Sequence, residues 1–262
     1  MTSAAQANEA ATLVWRHWQA GTVMDALPGT CRPAARRDGY AIQARVAAHS
    51  PTRPTGWKIA ATSKVGQAHI GVAGPLAGRL LAERTHTSGA TLSLAGNRMR
   101  VAEPEFAFRC GTRIAPRTTP YPMAEVLAAM EAPIPAIEVP DSRFADFAKA
   151  GAAQLIAECA CAHEFVLGTP AAADWRSLDL ARHRVHGQIV GRLDREGIGA
   201  NVLDDPRLAL TWLVNELSSL GIALEPGEVV TTGTCMTPLA IEPGDHVVAD
   251  FGALGRVEAR FA

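Results

Sequence analysis

Glu103 and Glu105 stand two residues apart inside the otherwise apolar run Val101-Ala102-Glu103-Pro104-Glu105-Phe106-Ala107-Phe108. In a strand successive side chains alternate faces, so both carboxylates point the same way. Two neighbouring anions on a buried face repel each other and are costly to desolvate, and a divalent cation would relieve both problems. The competing reading is an exposed strand face carrying two solvated glutamates. A third acid, Glu138, is embedded in the same manner in Pro133-Ile134-Pro135-Ala136-Ile137-Glu138-Val139. Three carboxylate ligands suit a hard ion, Mg2+ or Mn2+, that keeps several waters. No Cys or His falls at zinc-finger spacing near them.

The elements that must position these acids are legible in outline. The alanine-rich stretch Ala4 to Ala20, with Leu13, Val14, Trp15 and Trp18, has the spacing of an amphipathic helix, and so does Pro33 to Ser50, with Tyr40, Ile42, Val46 and Ala47 as its buried stripe. Pro28-Gly29 marks the turn between them. After Pro51 to Pro54 the texture changes to short apolar runs broken by Gly and Pro. Strands are expected at Leu92 to Leu94, Arg100 to Phe108, Ile134 to Val139, Val185 to Leu193, Val229 to Thr232, His246 to Phe251 and Arg256 to Phe261. Pro104 cannot donate to a sheet ladder, which predicts a bulge or an edge at that point. Asp205 to Leu220 reads as a helix with Pro206 near its start, Leu208, Trp212 and Leu217 along it, and Gly221 as its stop. Pro226-Gly227 and Pro243-Gly244 punctuate hairpin-like connections. Helices first and a strand-rich body after predict an α+β protein, with a helical segment over 1–54 and a catalytic domain over 55–262.

With 48% hydrophobic and 19% charged residues, 25 basic against 26 acidic, the chain has no electrostatic footprint for nucleic acid, and a small molecule is the expected partner. Five cysteines, Cys31, Cys110, Cys159, Cys161 and Cys235, follow no zinc or disulfide pattern, which predicts a reducing compartment, the cytoplasm. Met1 to Thr12 lacks a basic region followed by an apolar core, and no apolar run approaches the roughly 20 residues that span a bilayer. The glycines from Gly187 to Gly199 have neither Rossmann nor P-loop spacing, so no nucleotide cofactor is expected.

In order along the chain, Gly56-Trp57-Lys58-Ile59, Thr62-Ser63, Glu103-Pro104-Glu105-Phe106-Ala107-Phe108, Ile137-Glu138-Val139 with Asp141-Ser142-Arg143, Phe165-Val166-Leu167-Gly168, Gly199-Ala200-Asn201-Val202-Leu203 and Thr232-Gly233-Thr234 resemble the 2-keto-4-pentenoate hydratase family. That family lies within the fumarylacetoacetate hydrolase superfamily and includes the 4-oxalocrotonate decarboxylases. The resemblance implies a mixed, strand-rich sheet rolled around a metal site, with Glu103, Glu105 and Glu138 as ligands. It implies a substrate of the 2-hydroxy-2,4-dienoate or 2-oxo acid type, chelated through its C1 carboxylate and C2 oxygen. Water adding to the far end of the derived unsaturated ketone would give a 4-hydroxy-2-oxo acid.

Three glutamates, one divalent cation and a substrate carboxylate leave a net negative charge, so a cation must lie nearby. Lys58 matches a lysine the family uses at its active site, and Arg143 is a second candidate beside an exposed structural role. Thr234 aligns with a loop that approaches substrate. Gln188 is expected to position substrate or water, with a ladder-side hydrogen bond as the alternative.

Two departures bear on the reaction. Many hydratases of the family carry an aspartate where Leu76 follows Pro75, and leucine exchanges no proton; Glu83 and His69 are the neighbouring candidates to compensate, against surface or core roles. Glu158-Cys159-Ala160-Cys161-Ala162-His163 replaces a small polar run, and on a helix Cys159 and Cys161 would diverge, so packing is their expected role. The first expectation is a metal-dependent hydratase of aromatic meta-cleavage catabolism. The alternatives are a 4-oxalocrotonate-type decarboxylase and a degenerate oxo-acid-binding protein; hydrolytic carbon-carbon cleavage is disfavoured because the N-terminal region offers no persuasive Glu-His pair. The family commonly forms homo-oligomers, to which Trp15 and Trp18 are candidate contributors.

Overall fold

A computed structural model of the chain describes residues 2–172 and 174–262. The chain opens with helices α1 (Ala4–Ala20) and α2 (Arg36–Ala47), then β1 (Gly56–Ala60), α3 (Lys64–His69), β2 (Leu76–Leu80), β3 (Thr85–Thr87), β4 (Thr91–Leu92) and β5 (Val101–Cys110). There follow α4 (Met123–Ala129), β6 (Met130–Val139), α5 (Phe147–Ala150), α6 (Ala152–Ala157), β7 (Glu164–Leu167), β8 (Arg184–Ile189) and β9 (Leu193–Ile198). The chain ends with α7 (Pro206–Ser219), β10 (Val229–Thr234), β11 (Leu239–Ala240), β12 (His246–Asp250) and β13 (Arg256–Phe261).

Local chemistry explains the helices. Ser3 and Gln6 form a reciprocal capping box that starts α1, and Gly21 ends it at φ 61°. The buried side of α1 is Ala7, Ala10, Ala11, Val14 and Trp18, of which the three alanines let it lie close to its neighbours. Asp205 caps α7 and Pro206 opens it. Its inward face is Ala209, Leu210, Leu213, Val214 and Leu217, so Leu208 points outward and is 46% exposed. The α2 helix starts three residues later than the sequence predicts, at Arg36, with Tyr40, Ile42, Val46 and Ala47 buried as expected.

Two sheets carry the body. One has eight strands, ordered β2-β1-β10-β5-β6-β7-β3 with β11 pairing β5, and the other has five, ordered β4-β13-β12-β8-β9. The sheets meet through the face of β5 that carries Phe106, whose ring stands edge-on to Phe251 at 5.1 Å. Each such fully buried aromatic contributes roughly 1.5–3 kcal/mol of hydrophobic stabilisation. The alternate face of β5, with Glu103 and Glu105, looks the other way. The mixture of parallel β1–β10, β3–β7 and β4–β13 pairs with antiparallel ones is an α+β arrangement, as expected.

Several expectations are corrected. Val185 to Leu193 is not one strand: Gly191, at φ 75°, turns the chain so that β8 and β9 pair with each other. The two Pro-Gly sites make turns but no hairpins, since Pro243-Gly244 carries the chain from β11 in the first sheet to β12 in the second. Of the Leu92 to Leu94 expectation only Leu92 lies in a strand, β4, which begins one residue earlier at Thr91. Strands β1, β2, β3 and β7 went unmarked because they are three to five residues long with no clean alternation. Pro104 sits on the interior strand β5, not at an edge. Its strand stays in register with β6 from Glu103 to Arg109 and shifts only at Cys110, and the irregularity nearest Pro104 lies on β10, between Thr231 and Thr234. No helix among the described residues is long and apolar enough to cross a membrane.

Candidate metal centre

The register of β5 against β6 places Glu103 directly opposite Glu138, with Glu105 two residues along on the same face. One oxygen from each lies within 4.8 Å of the others, and no other group of three such ligand types converges among the described residues. Glu105 and Glu138 are each 1% exposed. Like charges directly across a sheet are destabilising, so other contacts must hold this arrangement.

Those contacts come from β1 and β10. Lys58 Nζ lies 3.0 Å from Glu138 Oε1 and donates to the carbonyl of Ala160 at 2.9 Å. The Thr231 hydroxyl donates to Glu105 Oε2, and the Gly233 N–H donates to the same oxygen at 2.8 Å. Glycine is required at 233 because φ is +98° and a Cβ would collide with Thr62 Oγ1. Gly78, the β2 partner of Lys58, is required for a similar reason: a Cβ there would strike the Cys159 carbonyl and crowd the Lys58 stem. Thr231, Gly233, Gly78 and Ala160 were not singled out as site residues. Their signal was the glycines beside motif residues.

Burial, reinforced by Glu138, pushes the Glu103 carboxyl up to about 7. Burial likewise lifts Glu105 well above the usual range, with Glu138 and Glu103 adding to it. Burial would lower the Lys58 ammonium, but Glu138 and the other acids outweigh it and hold Lys58 above its ordinary value. Glu105 Oε1 and Glu138 Oε2 have no hydrogen-bond partner at all. Orphaned, buried carboxylate oxygens that converge on one another are what a hard divalent cation would satisfy, so the residues present fit Mg2+ or Mn2+.

The other expected residues divide. Thr234 is in register with Glu105, half-buried, its hydroxyl donating to the Met236 carbonyl at 2.9 Å. Gln188 is not at the cluster. It lies on β8 of the second sheet, on the face opposite Val185, Gly187 and Ile189, which point into the core. Arg143 is not free to bind substrate: it is buried, with Nε 2.7 Å from Glu158 Oε2 and its other nitrogens on the Ala162 and Glu158 carbonyls. Leu76 is fully buried on the Lys58 side of β2, opposite Ala60. Glu83 and His69 are exposed, Glu83 accepting from Ser50 at 2.8 Å and His69 edge-on to Phe147, so neither stands in for the aspartate.

Cys159 to Cys161 do not lie on a helix. All three have positive φ, a left-handed turn that costs non-glycine residues about 1–2 kcal/mol each. A Glu-His pair exists, His86 Nε2 at 2.6 Å from Glu164 Oε2, but Glu164 is opposite Val139 in register and alternates away from the carboxylate face.

A three-carboxylate cluster with one buried ammonium, on the inner strands of a strand-rich α+β body, defines a candidate oxygen-ligand metal site. The family model for the C-terminal part of fumarylacetoacetate hydrolase matches residues 84–262, and the chain belongs to this family. A 4-oxalocrotonate decarboxylase of Pseudomonas sp is 31% identical over 224 residues, 84% of each chain. A 2-keto-4-pentenoate hydratase of Paraburkholderia xenovorans (strain LB400) is 29% identical over 261 residues, 98% of this chain and 95% of the relative. A solved 4-oxalocrotonate decarboxylase from Pseudomonas putida G7, complexed with magnesium and adipate, superposes with TM-score 0.90 at 23% identity over 100% of this chain and 99% of that one, a shared fold.

Proposed function

We propose that the protein is a divalent-metal-dependent hydratase of a short 2-hydroxy-2,4-dienoate, serving aromatic meta-cleavage catabolism in the cytoplasm. The observation that carries this reading is the cluster itself: three carboxylates within 4.8 Å, oxygens of Glu105 and Glu138 left unpaired, and one buried ammonium beside them. The similarity to hydratases and decarboxylases of small oxo acids supports the substrate class. Mg2+ or Mn2+, when bound, supplies Lewis acidity at the substrate's C2 oxygen and favours negative charge there.

Each residue then has a part. Glu103, Glu105 and Glu138 would hold the cation, while Thr231 and Gly233 fix the Glu105 carboxylate. Lys58 offsets the excess negative charge that a substrate carboxylate brings to three glutamates. Its Nζ is placed to pass a proton to C5 and to take up the proton that the C2 hydroxyl gives up, so the dienol becomes the unsaturated ketone and the ammonium is restored. Water adds at C4 and a proton at C3, so one water enters and 2-hydroxypenta-2,4-dienoate becomes 4-hydroxy-2-oxopentanoate. Thr234, in register with Glu105 and with its hydroxyl already donating to the Met236 carbonyl, would meet the substrate's polar end only as an acceptor.

One observation favours a second reading, decarboxylation of a 4-oxalocrotonate-type acid. Leu76 is apolar and buried where a proton-transfer group would serve hydration. Loss of carbon dioxide leaves the dienolate and requires no group to activate water. Offering each acid separately with Mg2+, and identifying products by NMR, separates the readings: 4-hydroxy-2-oxopentanoate from the dienoate supports hydration, and carbon dioxide released only from 4-oxalocrotonate replaces it with decarboxylation. Binding of both acids without turnover would leave the degenerate oxo-acid binder.

A further inference from the structure

The left-handed turn Cys159-Ala160-Cys161, at φ 67°, 51° and 63°, has no glycine to relieve it. Strain of this kind persists only where the surroundings over-determine it. Each carbonyl of the turn has a separate contact. That of Cys159 accepts from the Ala162 N–H at 3.0 Å and fills the space a side chain on Gly78, the strand partner of Lys58, would need. That of Ala160 accepts from Lys58 Nζ at 2.9 Å, and that of Cys161 accepts from the Asp141 N–H at 3.0 Å, three residues past Glu138.

One buried pair fastens both flanks of this turn. The Glu158 carboxylate accepts from the Ser142 hydroxyl at 2.9 Å, from the Arg143 N–H at 2.7 Å and from the Cys161 thiol at 3.4 Å. Arg143 Nε lies 2.7 Å from the same carboxylate, and its terminal nitrogens donate to Ala162 at 2.8 Å and to the Glu158 carbonyl at 2.5 Å. The Trp18 ring covers the guanidinium at 4.3 Å. Residues 158–162 and the chain leaving β6 are thereby locked together, with Lys58 between them.

We propose that Glu158 and Arg143 are positioning residues for Lys58. They clamp the strained turn so that the Ala160 carbonyl fixes the ammonium beside Glu138 and leaves its remaining N–H bonds to face substrate. This rests on Lys58 acting at the site as described under Proposed function. Neither clamp residue is part of the carboxylate cluster, so both act through the turn.

The test is Glu158→Asp, which keeps the charge opposite Arg143 but shortens the reach. Three readouts are taken: Mn2+ affinity by calorimetry, the Lys58 side-chain signal in 15N-lysine NMR, and kcat and KM on 2-hydroxypenta-2,4-dienoate. The expected result is Mn2+ affinity within about twofold of the parent, a broadened or shifted Lys58 signal, and kcat down about tenfold or more with KM little changed, as misplacement of a reacting group predicts. An unchanged Lys58 signal with unchanged Mn2+ affinity overturns the proposal. If Glu158→Asp does not fold, Arg143→Lys keeps the charge beside Glu158 but gives up the forked bonds to the Ala162 and Glu158 carbonyls; a Lys58 signal identical to the parent's in that variant also overturns it. The NMR readout stands whether or not the dienoate is the substrate. Absent turnover in the parent therefore counts against the function and not against the clamp.

Discussion

Glu103 carries a proton up to about pH 7 in the metal-free protein because burial and Glu138 disfavour its anion. A cation must displace that proton, and any that Glu105 still holds, so apparent Mn2+ affinity rises with pH through about 7. Below that point it falls by up to about tenfold per unit for each proton displaced. Calorimetry at pH 6, 7 and 8 checks the trend, and an affinity that is flat across this range contradicts it. At Glu105 the same repulsion sets a trade between stability and binding. Glu105→Gln removes a buried like charge and is expected to raise the melting temperature of the metal-free protein while weakening Mn2+ by about 100-fold or more. Lys58 and the three glutamates were legible because a charged residue in an apolar run needs a reason. The surroundings of Arg143 and Gln188 are not readable from sequence, because the Glu158 partner of one and the outward face of the other are set by tertiary pairing.

At the scale of elements, Gly233 is the hinge of the site. It lies in the irregular part of β10 that lets its N–H reach Glu105. Gly233→Ala is expected to cost about 1–3 kcal/mol, from a disfavoured φ and the clash with Thr62, and to weaken metal binding as well. Denaturant unfolding and Mn2+ titration measure the two effects. The segment after α6 supplies a pH signature. Burial, with Arg143 and Arg84 nearby, depresses His163 to about 3, whereas an unfolded chain titrates near 6.5. Below 6.5 the unfolded state binds the proton and the folded state does not. Stability from this residue is therefore lost as pH falls from about 6.5 toward about 3, by up to ~1.4 kcal/mol per unit. His163→Asn, which leaves an acceptor for the Trp18 N–H, should show a shallower acid dependence than the parent. Long periodic elements such as α1, α7, β5 and β13 were readable from hydrophobic spacing. The left-handed turn at Cys159–Cys161 was not, because no glycine announces it and tertiary contacts with Glu158 and Gly78 impose it.

Across the whole molecule, the helices of residues 1–54 are joined to the body by polar contacts as well as packing. Gln43 donates from α2 to the Ala77 and Ile156 carbonyls at 2.9 and 2.7 Å, and Trp18 of α1 donates to His163 at 3.2 Å and covers Arg143. We propose the boundary near residue 54 as a change of element type without an independent fold on either side. Removing residues 1–54 is expected to expose the apolar faces of α6 and β2 and to yield aggregated protein, which gel filtration would show. The α+β class and the placement of α1, α2 and α7 followed from sequence pattern, whereas the pairing of β10 between β1 and β5, which brings Lys58 to the carboxylates, depends on contacts more than a hundred residues apart that no local pattern encodes. The homo-oligomer expected from family resemblance stays a proposal at this scale.

The central claim is that the Glu103-Glu105-Glu138 cluster binds a divalent cation on which turnover depends. Freshly generated 2-hydroxypenta-2,4-dienoate, followed by loss of dienol absorbance with the parent protein and with Glu105→Gln, each in Mg2+ and in chelator, tests it most directly. The account predicts rapid loss only for the parent in Mg2+, with 4-hydroxy-2-oxopentanoate as product; equal rates in chelator, or undiminished turnover by Glu105→Gln, would contradict it.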